Sequence, residues 1–193
     1  MGINDIWLLL LNDLPFKDTL VGETHPLKRN LKGKTIVEKI YPVAINTPTT
    51  CEVSRYMDLV PNGKKKSIIY FEKSNTRVLD LDRSYFYIAE NWRLVCWMNI
   101  KIINKNYTDL YPFIHTVMRR IPEEYGNYGN WIDVYFEYKG QVPSEQIFSK
   151  YTYDEAEKQY LIYPFGAFAL DYEVRYRIAK ICLEDVTLDP DLC

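Results

Sequence analysis

At 193 residues and 47% hydrophobic, the chain is long enough for one well-packed domain and too short for two ample ones. A formal charge of -2 gives no general attraction to nucleic acid. Cys51, Cys96, Cys182 and Cys193 lack C-x-x-C spacing and read as buried thiols of a reducing compartment, and no run reaches the roughly 18 to 20 apolar residues that span a bilayer.

The first apolar run is Ile6-Trp7-Leu8-Leu9-Leu10-Leu11. Asp5 precedes it where a secretory leader carries positive charge, and no small-residue cleavage site follows, so it is expected to be a short docking strand or helix. Residues 18–34 are polar and aperiodic, with Gly22, Pro26 and Gly33, and residues 1–34 together read as an extended N-terminal arm. Residues 35–193 then form a single domain. Residues 35–45 are extended, with Pro42 marking an edge or a bend. Residues 51–60 and 67–73 flank Pro61-Asn62-Gly63, which predicts a hairpin with Gly63-Lys64-Lys65-Lys66 as its solvated tip.

Residues 91–103 alternate, with Trp92, Leu94, Cys96, Met98, Ile100 and Ile102 on one face and Arg93, Asn99 and Lys101 on the other. Trp97 faces away from the first set, so the far side of the sheet needs a cover, either more of this chain or a partner. After a turn at 104–106, Tyr107, Leu110, Tyr111, Ile114, Val117, Met118 and Ile121 recur at helical spacing. Asn106 or Thr108 caps this helix, Pro112 falls in its first turn, and Pro122 stops it. The helix is expected to lie on the strand.

Residues 131–139 form another alternating strand, with Ile132, Val134, Phe136 and Tyr138 against Asp133 and Glu137. Residues 140–164 read as an inserted loop, within which 152–160 is a short helix or irregular. The final strand, 170–178, points Leu170, Tyr172, Val174, Tyr176 and Ile178 inward and Asp171, Glu173, Arg175 and Arg177 outward, where cross-strand charge pairs tolerate water or a polar partner.

Chemistry is sparse. His25 and His115 have no neighbouring nucleophile or carboxylate in a catalytic arrangement, and no P-loop, GxGxxG, HExxH or GxSxG motif occurs. Glu137-Tyr138-Lys139 has the E-x-K spacing of a metal-dependent nuclease, but the acidic residues before it, Asp109 and Asp133, fall on the helix and on the same strand. No catalytic, cofactor or metal residue is assigned. By contrast, 17 tyrosines and Trp7, Trp92, Trp97 and Trp131 supply rings that suit contacts between subunits, although such residues also suit sheets in general. Trp7, Leu8, Leu9, Leu10 and Trp97 are the interface candidates.

The order of elements, with Tyr41-Pro42-Val43, a hairpin, the strand and helix of 92–121 and a last strand opening Phe168-Ala169-Leu170-Asp171-Tyr172-Glu173, resembles the tail terminator and head-to-tail connector proteins of tailed bacteriophages. The Tyr- and Asn-rich texture is similar to that of neck and tail-ring proteins of crAss-like phages. The resemblance covers residues 35–184 and is one of element order rather than of a diagnostic motif. The arm and the 140–164 insertion depart from it.

It implies an α+β fold in which an antiparallel or mixed sheet packs on one principal helix. It further implies a non-enzymatic virion component forming a homo-oligomeric ring, bound to other neck, portal or tail proteins, with DNA passing through without sequence-specific contact. A metal-dependent DNA-processing nuclease and a small intracellular binding domain are the alternatives.

Overall fold

A computed structural model describes residues 2–31, 37–46, 55–82, 84–106, 108–128 and 131–179. The chain opens with helix α1, Ile3–Leu11, whose first turn is held by the Gly2 amide donating to Asp5 Oδ2 at 2.6 Å. Ile3, Ile6, Trp7 and Leu11 lie at the three-and-four spacing of one helical face, and all are buried. Strand β1, Thr19–Glu23, runs parallel to β5, Ser67–Leu81. Between them in sequence, β2 (His25–Leu31), β3 (Val37–Asn46) and β4 (Arg55–Asp58) make a separate antiparallel sheet in the order β2-β3-β4.

Strand β5 turns back into β6, Tyr85–Asn99, where Asp82 Oδ1 accepts the amides of Ser84 and Tyr85. Asn99 ends that strand by capping the short helix α2, Ile100–Ile103. Helix α3, Tyr111–Met118, begins where Asp109 Oδ1 accepts the Tyr111 amide at 3.0 Å. Strands β7 (Gly126–Tyr128) and β8 (Trp131–Gln141), the single-turn helix α4 (Glu155–Lys158) and β9 (Phe165–Ala179) complete the described chain.

The main sheet has six strands in the order β1-β5-β6-β9-β8-β7. Only β1 is parallel to its neighbour, so the sheet is mixed and the fold is α+β. Helices α1 and α3 cover one face. There Trp7, Leu11 and Phe16 meet Ile114 and Val117 over Phe71, Leu94, Cys96, Phe136 and Leu170. The second face carries Ile68, Tyr70, Val95, Trp97 and Ala169, covered by Ala44, Leu59, Val142 and Ile147 from the small sheet and from residues 142–164. The Thr152 amide donates to the Ile40 carbonyl at 2.7 Å and so ties those two covers together.

Several expectations are corrected here. The described part of the expected arm, residues 2–31, is built into the fold: α1 docks on the main sheet and β1 extends it, so the helical layer has two members rather than one principal helix. Trp7 drives this, because a fully buried side chain of that size contributes roughly 1.5 to 3 kcal/mol or more through apolar burial. The hairpin at Asn62-Gly63 does not form. Strand β4 pairs with β3, and β5 pairs with β1 and β6, so the turn is a crossing between sheets.

The reason lies in what anchors the two sides of that turn. The Leu59 amide donates to the Pro42 carbonyl, whereas the Lys66 amide donates to Asp18 Oδ2 and Ser67 Oγ to the Phe16 carbonyl. Pro42 is on the central strand of the small sheet. It is tolerated because its nitrogen, like the carbonyl that accepts the Leu59 amide, faces the β4 side, where β4 has already ended at Asp58 opposite Val43. Ile102, expected inward, is exposed because the strand has already given way to α2.

Of the expected insertion at 140–164, Gly140 and Gln141 complete β8 and residues 142–164 form a lid over this chain's own sheet, with Val142, Ile147, Tyr151 and Tyr153 buried. Cys96 is buried and its thiol pKa is pushed far up by burial; Cys51, Cys182 and Cys193 lie outside the described residues.

Candidate functional site

Along β6 and β9 the side chains alternate between the helix-covered face and the opposite one. On the opposite face the apolar run Trp97, Val95 and Ala169 gives way to charge as the strands leave the lid. The register sets Glu72, Arg93 and Asp171 side by side across β5, β6 and β9. The next level carries Asn75, Asn91, Glu173 and Glu137 across β5, β6, β9 and β8, and the one beyond it Arg77, Ala89, Arg175 and Tyr135. The first level pairs opposite charges across the strands, whereas the second is acidic and the third basic, so Glu173 and Glu137 are neutralised diagonally, by Arg77 and Arg175 from the next level.

Arg93 grips Asp171 with two parallel bonds, Nε to Oδ1 at 2.8 Å and Nη2 to Oδ2 at 3.0 Å. This bond raises the Arg93 pKa above its ordinary value, against the opposing effect of burial. Glu173 is the hub. It is only 5% exposed and accepts from Arg77 Nη2 and, at 2.6 Å, from Arg175 Nε, with Lys139 Nζ 3.8 Å away. Burial alone pushes its carboxyl up, but the Arg175 bond and the charges of Lys139, Arg175 and Arg77 outweigh burial and hold the pKa below the usual value.

Glu137 takes Arg175 on one oxygen and Lys139, at 2.6 Å, on the other. The E-x-K pair is therefore one corner of an ion-pair network. Arg177 Nε stands 2.8 Å from Asp133, an ion pair whose angle falls short of a hydrogen bond, and its guanidinium lies over the Tyr85 ring.

At the lid end of this face, Glu72 is nearly buried. Tyr151 donates its hydroxyl to one oxygen and Lys150 Nζ sits 2.6 Å from the other. Burial first, and the Glu72 charge second, push the Tyr151 pKa strongly up, so the phenol is a fixed hydrogen-bond donor. A groove of about 370 Å³ opens beside this group, lined by Glu72, Arg93, Lys139, Lys150 and Asp171 among others. Its charges are already partnered, which suits polar contact rather than proton transfer. Among the described residues no group of three or more His, Cys, Asp or Glu is placed to hold a metal, and no helix is long and apolar enough to cross a membrane. His25 and His115 are exposed.

The interface candidates separate. Trp7 is fully buried, stacked on Phe71 with edge contacts to Phe136 and Tyr172. Trp97 is buried too, its Nε1 donating to the Tyr160 carbonyl at 2.6 Å and its ring stacked on Phe165. Both are covered by other parts of this chain. Leu8 and Leu10 are half-buried, and Leu9 is 60% exposed.

The exposed apolar residues that the sequence did not single out are Val78 and Leu79 on the far half of β5, Tyr125 before β7, and Ile162 and Tyr163 before β9. The outward charges of β9 were legible from its alternation. Their pairing with Arg77, Arg93 and Glu137 was not, since it requires the register. Comparisons with protein families, with curated proteins and with solved structures return no match.

Proposed function

We propose that this chain is a structural virion protein that forms a homo-oligomeric ring in the neck or tail of a tailed phage, with a tail-terminator-like role and no catalytic activity of its own. The observation that supports this reading best is the placement of its exposed apolar side chains at separate positions. Val78 and Leu79 lie on the β5–β6 hairpin, Leu9 and Tyr111 on the two helices, and Ile162 and Tyr163 beside the lid. A ring subunit needs two unlike lateral surfaces and further contacts above and below, whereas a two-fold dimer needs one.

The charged face fits the same reading. Its cations are occupied by carboxylates of the same chain, so it offers phosphates little to hold, as suits a channel through which DNA slides. Solution mass measured across a concentration series tests the proposal. A rise to a fixed multiple of the monomer, with rings in electron micrographs, is expected; a monomer at every concentration up to hundreds of micromolar overturns it.

A further inference from the structure

At one end of the main sheet a group of cations has no carboxylate partner, and we propose that this end holds the phosphate backbone of duplex DNA without regard to sequence. The proposal goes beyond the ring reading, and the two can fail separately. Here the lysine run before β5, the turn after α2 and the last turn of α3 come together. A cleft of about 240 Å³ is walled by Phe16, Lys66, Asn104 and Thr116 among others, so Lys17 and Lys105 flank it as chain neighbours of its walls. Thr116 also borders a second hollow, of about 320 Å³, with Arg119 and Arg120. Lys65 stands alongside, its Nζ 2.6 Å from Thr19 Oγ1 at the start of β1.

These cations are not neutralised by their surroundings. Lys17 Nζ meets the Asn12 side-chain oxygen at 2.8 Å and Arg120 Nη2 the Asp13 carbonyl at 3.3 Å, both of them neutral acceptors, as is the Thr19 hydroxyl. Among the described residues no carboxylate lies within ion-pair distance of any of the six. The carboxylates of the same turns accept from other donors: Asp18 from the Lys66 amide, Asp109 from the Tyr111 amide and Asp13 from the Asn12 side chain. The face around Glu173 is the opposite case, since Arg77, Arg93 and Arg175 there all sit on carboxylates. One surface is neutral within itself, and the other carries an open positive charge.

The formal charge of -2 does not oppose this, because screening at 0.1 M salt limits the reach of a charge to about 10 Å. A polyanion at this end therefore meets the local excess of cations rather than the whole chain. Duplex DNA fits best because it presents one negative charge per roughly 1.7 Å of its axis, a density that a folded acidic protein surface does not reach. The rings that line the cleft, Phe16 and Phe113, are 2% and 3% exposed and offer no face on which an unpaired base could stack. The Thr116 hydroxyl is held by the Pro112 carbonyl at 2.7 Å. What remains for a ligand is charge on long side chains, which positions a phosphate backbone and reads no base edge.

The test is fluorescence anisotropy of a labelled duplex of arbitrary sequence, titrated with the full-length chain from about 50 mM salt upward. Binding is expected, and the logarithm of the association constant is expected to fall against the logarithm of salt with a slope of roughly -3.5 or steeper, the mark of four or more phosphates. Lys66→Gln and Arg119→Gln are each expected to make that slope shallower by about 0.9 for each chain that touches the duplex, and Arg119→Lys is expected to restore it. Lys73→Gln changes the net charge equally but lies six residues further along β5, roughly 20 Å away, in an ion pair with Glu90, and is expected to leave the slope unchanged. No binding at about 50 mM salt overturns the proposal, as does an equal change in all three glutamine variants or no change in Lys66→Gln and Arg119→Gln. Polyglutamate that displaces the label as well as unlabelled duplex does makes this end a seat for an acidic protein and overturns the assignment to DNA. None of these outcomes depends on whether the solution mass is that of a ring.

Discussion

The Trp7 indole lies on the Phe71 ring, with centroids 5.0 Å apart and 24° between the planes. This contact makes the N-terminal helix part of the core, and Trp7→Ala is expected to lower stability by about 3 to 5 kcal/mol in a denaturant titration. The indole N–H has no acceptor among the described residues, so Trp7→Phe, which removes that donor and keeps a ring, is expected to cost distinctly less. Deletion of residues 1–11 is expected to leave a chain without cooperative unfolding. A truncated protein that unfolds with an unchanged midpoint makes α1 dispensable.

Ile114 is 6% exposed on the inner side of α3, three residues from Tyr111, which is 68% exposed on the outer side. Ile114→Ala is expected to cost roughly 2 to 5 kcal/mol. Tyr111→Ala stays within about half a kcal/mol. Equal losses at the two positions contradict the orientation of this helix.

Glu173 gives the charged face a pH dependence with a definite sign. Its folded-state pKa is lowered relative to the unfolded chain, where a glutamate titrates near about 4.3. The stabilisation is therefore fully present above that value and is lost as pH falls through the lower folded-state value. Urea midpoints of the wild type and of Glu173→Gln are expected to differ most at neutral pH and to converge in acid. A difference that does not change with pH means that Glu173 contributes packing alone.

A methyl group at Gly22 would lie 2.2 Å from the Asn4 side chain, whose Oδ1 accepts the Glu23 amide at 2.8 Å. Gly22→Ala is expected to displace Asn4 and cost about 1 to 3 kcal/mol by stranding that donor. In an Asn4→Ala background the same change is expected to cost much less. Additive losses in the double mutant show that the two residues do not act through each other.

Glu137 has one oxygen on Lys139 and the other on Arg175, an arrangement that neutralises the carboxylate before a cation arrives. Plasmid DNA incubated with the protein and magnesium is expected to stay intact. Cleavage that disappears in Glu137→Gln overturns the structural proposal. The same substitution is expected to lower stability by about 1 kcal/mol or less, as for partly exposed pairs.

Where the sequence was readable, a single period governed a whole element. Trp92, Leu94, Cys96 and Met98 lie under Ile114 and Val117 as their spacing requires, and β9 alternates from Leu170 to Ile178 without interruption. The failures were non-local. Nothing in residues 51–73 reveals that the strand before Asn62-Gly63 belongs to another sheet, because that choice is made by Pro42, Asp18 and Phe16, distant in sequence. The polar texture of 18–34 hid β1 and β2, whose pairing depends on β5 and β3. Trp97 was placed on the correct side of the sheet, but its cover, the Tyr160 carbonyl and the Phe165 ring, could not be inferred from alternation. The charged face was half legible for the same reason: Asp171 to Arg177 announce it, and only the strand order supplies Arg77, Arg93 and Glu137.

Strand β9 follows every other described element in sequence yet lies in the interior of the sheet, between β6 and β8. On the ribosome, the β5–β6 hairpin therefore emerges with its β6 side bare, and β8 emerges with no place to dock, until residues 165–179 have left the exit tunnel. The nascent protein passes through an interval in which its sheet is incomplete, and the entropy of closing the loop between β6 and β9 is a cost that is met only at the end of that interval.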